Sequence, residues 1–271
     1  MANDLRQIQL IDVEILKQLI KIFEDNKLTY YMIAGSLLGA VRHNGFIPWD
    51  DDMDIGMPRE DYEKFLNRYY SELPDHLEVL NFKTDKKFNY CITRIADKRY
   101  TVKEIRNRET DNVTYASIDI FPIDGAPDNF ILRWIYYFRI LTNRALISLI
   151  QKKNIDKARK RNFMEKIVIF IGTRLPIGKV FNDKKLLLNI DKLLQKQSNS
   201  SKFAGSIMGA YRIKEMYLRE YLGKGTVLTF EKMKVNCPEN YDEYLKHMYG
   251  NYKQLPSKTE REAKRHFKIE S

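Results

Sequence analysis

The sequence predicts an α+β fold in which a mixed sheet packs against helices and a further helical segment is inserted. Helical and strand-like patterns alternate up to about residue 125, which is typical of a layered α/β sandwich. Residues 129–200 are largely helical in pattern, apolar and basic, and residues 201–271 return to a mixed pattern. We therefore divide the chain into 1–128, 129–200 and 201–271, although no linker marks a clean boundary.

Apolar residues that repeat every three or four positions predict the helices of the first part. In the longest helix, Ile8, Ile11 and Ile15 share one face. The predicted helices cover residues 5–24, 37–42 and 59–70.

Short runs of β-branched and aromatic residues predict the strands. Thr29–Ile33 is one such run. A second strand begins near Met53 and stops at Pro58, because proline cannot donate to a strand ladder. Further strands are predicted over residues 77–82, 88–96 and 117–121.

The composition bounds the partners and the compartment. A formal net charge of +11 favours an anionic partner, which could be a nucleotide, a nucleic acid or an anionic lipid. Cys91 and Cys237 are far apart and show no metal-ligand spacing, so we expect two reduced thiols. The N-terminus lacks the basic start and short apolar core of a signal peptide, so we expect a cytoplasmic chain.

An acidic run predicts a metal site. Asp52 and Asp54 are two residues apart, and such residues project from the same face of a strand. Carboxylates placed in this way repel each other unless a cation lies between them, and Mg²⁺ prefers oxygen ligands. Asp119 stands between two isoleucines, where an unpaired charge is costly to bury. We predict Mg²⁺ or Mn²⁺ at Asp52, Asp54 and Asp119, with Asp50 nearby. The alternative is a solvated acidic loop.

A Gly-Ser turn lies shortly before the acids. Gly35 permits a close backbone approach or a positive φ, and Ser36 is a favourable N-cap for a helix that starts at Leu37. Free N–H groups at a helix N-terminus attract phosphate. Alone, the turn predicts only a capped helix. Together with the acids, it predicts a site where the turn holds phosphates and the carboxylates hold the bridging metal.

Three motifs resemble those of the LicD/fukutin family. The stretch Ala34–Met57, which includes the turn and the acids, is similar to the family's long signature. Ser117–Gly125 is similar to its second motif. The looser third motif comprises Tyr249–Pro256 and the later Glu260, Arg261 and His266. The likeness therefore covers nearly the whole chain.

The resemblance implies a nucleotidyltransferase-like fold and the transfer of a phospho-alcohol from a nucleotide donor to a sugar. It implies phosphorylcholine transfer from CDP-choline to teichoic acid or lipopolysaccharide glycans for a bacterial member, and ribitol phosphate transfer to dystroglycan sugars for a eukaryotic one. Asp52, Asp54 and Asp119 match the metal-binding acids, and Asp50 matches a further acid. Asn251 stands where the family usually has Asp, which leaves the substrate preference open.

The resemblance also assigns a role to each part of the chain. Residues 1–128 would form the catalytic core, 129–200 a helical insertion, and 201–271 a segment that completes the active site. Asp119 or Asp50 would accept the proton of the attacking sugar hydroxyl. The predicted substrate-binding residues are Gly35, Ser36, Arg42, Trp49, Arg94, Lys98 and His266. The cations among them could equally be ordinary surface residues, and Trp49 is a candidate for binding choline.

The insertion has two interpretations. Ile131–Ile150 is almost entirely apolar, but Arg133, Arg139 and Arg144 argue against a bilayer span. A basic cluster follows in residues 152–161. Such a segment suits peripheral docking on an anionic membrane, at the inner face of the plasma membrane, where a lipid-linked glycan acceptor would lie. A buried helical hairpin with a solvated basic loop fits equally well.

Two other functions remain open. A conventional nucleotidyltransferase with a nucleoside triphosphate donor would share the turn and the acids. A catalytically silent glycan- or membrane-binding module would not need costly clustered carboxylates. The long signature favours CDP-choline or another CDP-alcohol as the donor, with no nucleic acid partner. Ethanolamine, glycerol and ribitol phosphate are the alternatives to phosphorylcholine.

Overall fold

The computed structural model describes residues 2–85, 88–104, 113–151, 174, 177–197, 199–257, 261 and 267–269. Its helices are α1 (Ala2–Asp25), α2 (Ala34–His43), α3 (Arg59–Lys64), α4 (Phe130–Ile150), α5 (Ile177–Val180), α6 (Asp183–Gln195) and α7 (Tyr241–Tyr249). Its strands are β1 (Tyr31–Met32), β2 (Asp54–Pro58), β3 (Leu77–Asn81), β4 (Thr93–Glu104), β5 (Val113–Ala126), β6 (Phe203–Gly205), β7 (Met216–Leu218), β8 (Thr226–Phe230), β9 (Met233–Cys237) and β10 (Phe267–Ile269).

A mixed sheet lies at the centre of the described chain. Its strands run in the order β1-β2-β5-β4-β10, with β3 also paired to β4 and the β6–β7 pair joined to the far end of β5. β2 and β5 are parallel, whereas β4 runs antiparallel to β5. β8 and β9 form a separate hairpin. This arrangement of mixed sheet and helices confirms the predicted α+β class.

Local boundaries differ from the sequence prediction where tertiary contacts intervene. The strand predicted over 88–96 begins only at Thr93, because Phe88 and Cys91 are buried in a cluster with α4 and α6. The helix predicted over 59–70 is α3, which continues as a π-helical turn, Phe65–Tyr69. Much of the helical stretch predicted after α4 lies outside the described residues.

Two apolar clusters surround the sheet. The larger one includes the inner face of α1, with Leu16 and Leu19 fully buried, and Ile118 and Ile120 of β5. The smaller one joins α4 and α6 to the end of β5. Within the described part of the chain, no helix combines the length and apolarity needed to cross a membrane.

A buried ion-pair cluster ties α6 to the central sheet. Arg59 donates from Nε and Nη2 to the two carboxylate oxygens of Asp124, both at 2.7 Å. Its Nη1 donates to Asp191 of α6 at 3.1 Å and to Glu63 at 3.0 Å. Burial opposes the charged guanidinium, but Asp124 and Asp191 outweigh that effect and raise the pKa of Arg59.

Candidate active site

Neighbouring strands bring two of the predicted acids together. In the parallel β2–β5 pair, Asp54 is opposite Asp119, and the Asp119 N–H donates to the carbonyl of Met53 at 3.0 Å. Strands in a sheet lie about 4.8 Å apart, and paired residues share a face. The sheet register therefore places the two carboxylates side by side.

Arg94 completes this row from β4. It is opposite Asp119 in the antiparallel ladder, and it donates from Nε to Oδ1 at 2.7 Å and from Nη2 to Oδ2 at 3.0 Å. The predicted role of Arg94 is substrate binding. In the structure it neutralises Asp119 in a two-point contact, which is the strong form of such pairs.

The loop before β2 carries the remaining acids. Asp50 is buried against the Gly-Ser turn, since a Cβ added to Gly35 would lie 2.9 Å from its Oδ2. Asp51 accepts the N–H of Phe267 at 2.7 Å, which attaches β10 to the loop. Asp52 is half-buried and precedes the first residue of β2. The strand alternation expected to place Asp52 on the face of Asp54 therefore does not extend to it.

The electrostatics of this cluster favour a cation. Burial, followed by the charges of Asp52, Asp119, Glu215 and Asp50, raises the pKa of Asp54 well above its ordinary value. Carboxylate oxygens are the ligands that Mg²⁺ prefers, so the chemistry of these donors fits a divalent metal. In the geometry of the described residues, no three acid, His or Cys side chains form a ready-made metal cluster.

The Gly-Ser turn works differently from the prediction. Helix α2 begins at Ala34 and not at Leu37, and its N-terminus has no side-chain cap. The Ser36 hydroxyl instead accepts the Asp54 N–H at 2.8 Å, which joins the helix to the first residue of β2. The positive φ, +48°, belongs to Ala34, whose N–H donates to the Tyr244 hydroxyl at 3.1 Å. The helix N-terminus thus lies beside the acids, where its dipole attracts anions.

Cations from two parts of the chain meet at Trp49. The Cζ atoms of Arg42 and Arg261 lie 5.9 Å and 4.9 Å from the indole centroid. Arg42 also donates to the carbonyl of Tyr252 at 2.8 Å, and burial followed by Arg261 lowers its pKa. Two guanidinium groups on one indole suit a phosphate better than choline, because an anion between them relieves their repulsion.

One predicted substrate contact lies away from the acids. Lys98 is exposed, and it is four residues along β4 from Arg94, which corresponds to about 13 Å of strand. No contact between Lys98 and the acids is found in the described part of the chain. His266 lies outside the described residues. Asn251 is exposed in the turn that follows α7.

Two further acids belong to the site and were not predicted. Asp12 of α1 is fully buried, and neither carboxylate oxygen has a hydrogen-bond partner among the described residues. Burial, then Asp52 and Asp51, raises the pKa of Asp12 well above its ordinary value. Glu215 is close enough to Asp54 to raise the pKa of that residue, and burial raises the pKa of Glu215 itself to about 7. The sequence feature that could have identified Asp12 is a carboxyl group on the apolar face of α1.

Comparison with known proteins agrees with this geometry. The family model described as LicD/FKTN/FKRP, nucleotidyltransferase domain, matches residues 27–168. The lipopolysaccharide cholinephosphotransferase LicD of Haemophilus influenzae is 27% identical over 256 residues, which cover 93% of this chain and 92% of the relative. The ribitol 5-phosphate transferase FKRP of Homo sapiens is 42% identical over 48 residues, covering 18% of this chain and 10% of the relative.

The family model and the relatives identify a phosphotransferase that contains a nucleotidyltransferase domain. Since the family model matches more than half of the chain, the protein belongs to the LicD/FKTN/FKRP family. The resemblance seen in the sequence motifs is thereby confirmed.

Proposed function

We propose that the protein transfers phosphorylcholine from CDP-choline to a sugar hydroxyl of a cell-surface glycan precursor, such as a teichoic acid or lipopolysaccharide glycan. The observation that carries the proposal is the pairing of Asp54 with Asp119 beside the N-terminus of α2. The similarity to a lipopolysaccharide cholinephosphotransferase over nearly the whole chain supports the choice of reaction.

Different groups of the site serve donor binding and proton transfer. The N-terminus of α2 and the guanidinium groups around Trp49 attract the diphosphate of the donor. Asp52, Asp54 and Asp119 would hold Mg²⁺ or Mn²⁺, which when bound neutralises developing phosphate charge. Of the two acids proposed to accept the proton, Asp119 has both oxygens engaged by Arg94. That contact favours Asp50 as the base.

Release of CMP tests the reaction. Purified protein is incubated with CDP-choline, CDP-ethanolamine, CDP-glycerol or CDP-ribitol, with and without Mg²⁺. We expect metal-dependent CMP release from CDP-choline even without an acceptor, because water can replace the sugar. Asp119→Asn, checked for folding by circular dichroism, should abolish it. Pyrophosphate release from a nucleoside triphosphate would instead support the conventional nucleotidyltransferase, and absence of both turnover and donor binding would support a silent module.

We also propose that the acceptor is lipid-linked and that the protein docks peripherally on the inner face of the plasma membrane. The first turns of α4 support this, because they present large apolar side chains to solvent. The exposed fractions run from 48% to 71% for Phe130, Ile131, Leu132, Trp134, Ile135 and Phe138. Arg139 is exposed on the same helix. An exposed aromatic face with adjacent cations fits an anionic bilayer surface.

Vesicle flotation tests the docking. We expect the protein to float with vesicles containing anionic lipid and to remain behind with neutral ones. Trp134→Ser combined with Phe138→Ser should prevent flotation. Val227→Ser is the control, since Val227 is 61% exposed on β8, outside this face. Equal flotation of the two variants would contradict docking through α4.

A further inference from the structure

Two tyrosine rings form a corner beside the carboxylate cluster. Tyr211 and Tyr249 have ring centroids 6.1 Å apart and planes at 85° to each other. Burial, then Glu215, Asp50 and Asp52, raises the pKa of the Tyr211 phenol, so the ring lies within the field of the acids. Burial, then Tyr244 and Tyr211, and after them Asp54 and Asp50, raises the pKa of the Tyr249 phenol.

Glu215 supplies a carboxyl group at this corner, and this group is negatively charged above its pKa of about 7. Its Oε1 accepts the N–H of Tyr211 at 2.6 Å, which fixes the carboxylate next to the ring. Its other oxygen fills the space where a side chain at Gly209 would lie, so the loop and the carboxylate are closely packed. Arg144 of α4 holds the same loop by donating to the carbonyls of Ile207 and Gly209.

The chemistry of this corner suits a cation with apolar bulk. The face of an aromatic ring attracts a quaternary ammonium, and a neighbouring carboxylate adds its charge. Lys214 Nζ lies 5.9 Å from the centroid of Tyr211, so this ring already has an ammonium within range. Trp49 is less suitable, because two guanidinium groups lie over its ring, one of them at 4.9 Å, whereas the Lys214 ammonium is at the limit of such a contact with Tyr211.

We propose that Tyr211, Tyr249 and Glu215 bind the cationic headgroup of the alcohol, and thereby select an amino alcohol such as choline over a polyol such as ribitol. The inference rests on the proposed phospho-alcohol transfer and names the part of the donor that this corner recognises. A polyol carries no positive charge. Its hydroxyl groups would be buried against two ring faces, and it would bring no cation to pair with Glu215.

Binding measured by calorimetry on the full chain tests the assignment, with CDP-choline, CDP-ribitol, CMP and phosphocholine as the probes. Tyr211→Leu removes the ring face, and Tyr211→Phe retains it as the matched control. We expect Tyr211→Leu to weaken CDP-choline and phosphocholine about 10-fold, the size of one cation–π contact. Tyr211→Phe should retain wild-type affinity, and CMP should bind equally to all three proteins.

Glu215→Gln separates recognition from proton transfer. If Glu215 belongs to the headgroup site, this variant should bind CDP-choline more weakly and CMP with unchanged affinity. Unchanged CDP-choline affinity with slower turnover of every donor would make Glu215 a base and overturn the proposal. Wild-type protein that prefers CDP-ribitol would overturn it while leaving phospho-alcohol transfer intact. If the wild-type protein releases no CMP from any donor, the proposed reaction is wrong. The headgroup site is still supported in that case if phosphocholine binds and Tyr211→Leu weakens its binding.

Discussion

Arg59 is a residue at which a single substitution should damage the fold. Arg59→Met keeps a long side chain but removes the cation paired with Asp124, which is 2% exposed. Asp191, which is 6% exposed, also loses Arg59 but keeps Lys83 at 3.0 Å. Removing one partner of a buried ion pair costs about 3–5 kcal/mol. This loss is a large share of the roughly 5–15 kcal/mol that stabilises a typical native protein. It should loosen the attachment of α6 to the sheet.

Urea unfolding followed by circular dichroism measures this cost. With a slope of about 3 kcal/mol per molar urea, the midpoint should fall by roughly 1–1.7 M. Arg6→Met is the control, because Arg6 makes a similar two-point contact with Glu231 but is 48% exposed in its side chain. An exposed pair contributes about 0–1 kcal/mol. A loss for Arg59→Met no larger than that for Arg6→Met would refute the reasoning.

Three further predictions concern the site. Because burial raises the pKa of Asp12 above its unfolded value, wild-type stability should fall as the pH rises from the unfolded pKa to the folded one. Asp12→Asn should therefore be more stable than the wild type at pH 8 and not at pH 4. The difference in the free energy of unfolding should be about 1.4 kcal/mol for each unit by which the pKa of Asp12 is raised, and thermal unfolding measures it. Gly35→Ala, whose Cβ would crowd Asp50, should lower CMP release by at least about tenfold with the melting temperature nearly unchanged. Mg²⁺ at about 100 times its Kd should stabilise the wild type by roughly 2.7 kcal/mol, and a thermal shift of the same size in Asp54→Asn would exclude that acid as a ligand.

The sequence singled out Asp54 and Asp119 but did not indicate how the two acids are arranged. Asp54 and Asp119 each stand in an apolar strand, and this local pattern was enough to single them out. Alternation along a strand predicts a face but not the neighbouring strand, so the parallel register that pairs them was not predictable. Asp52 was placed on the face of Asp54 from their two-residue spacing, although the strand begins only at Asp54.

Local preference was misleading where a long-range bond competes with it. Serine is a common N-cap residue, yet the Ser36 hydroxyl accepts the backbone N–H of Asp54. Helix α2 therefore begins earlier than expected. Glu215 and Tyr211 had no local signature at all. The pairing of β7 with β6, and of β6 with β5, places the preceding loop near the acids. Such proximity is a property of the topology and not of any short motif.

The position of Arg144 has a mechanical consequence. α4 contains 21 residues, so it is a rod about 30 Å long. The N-terminal turns of α4 carry the exposed aromatic face. Arg144, farther along the helix, donates hydrogen bonds to the carbonyls of Ile207 and Gly209. A tilt of the rod that preserves these bonds moves the loop leading to Tyr211. Arg144 therefore couples the position of α4 to that of the loop before Tyr211.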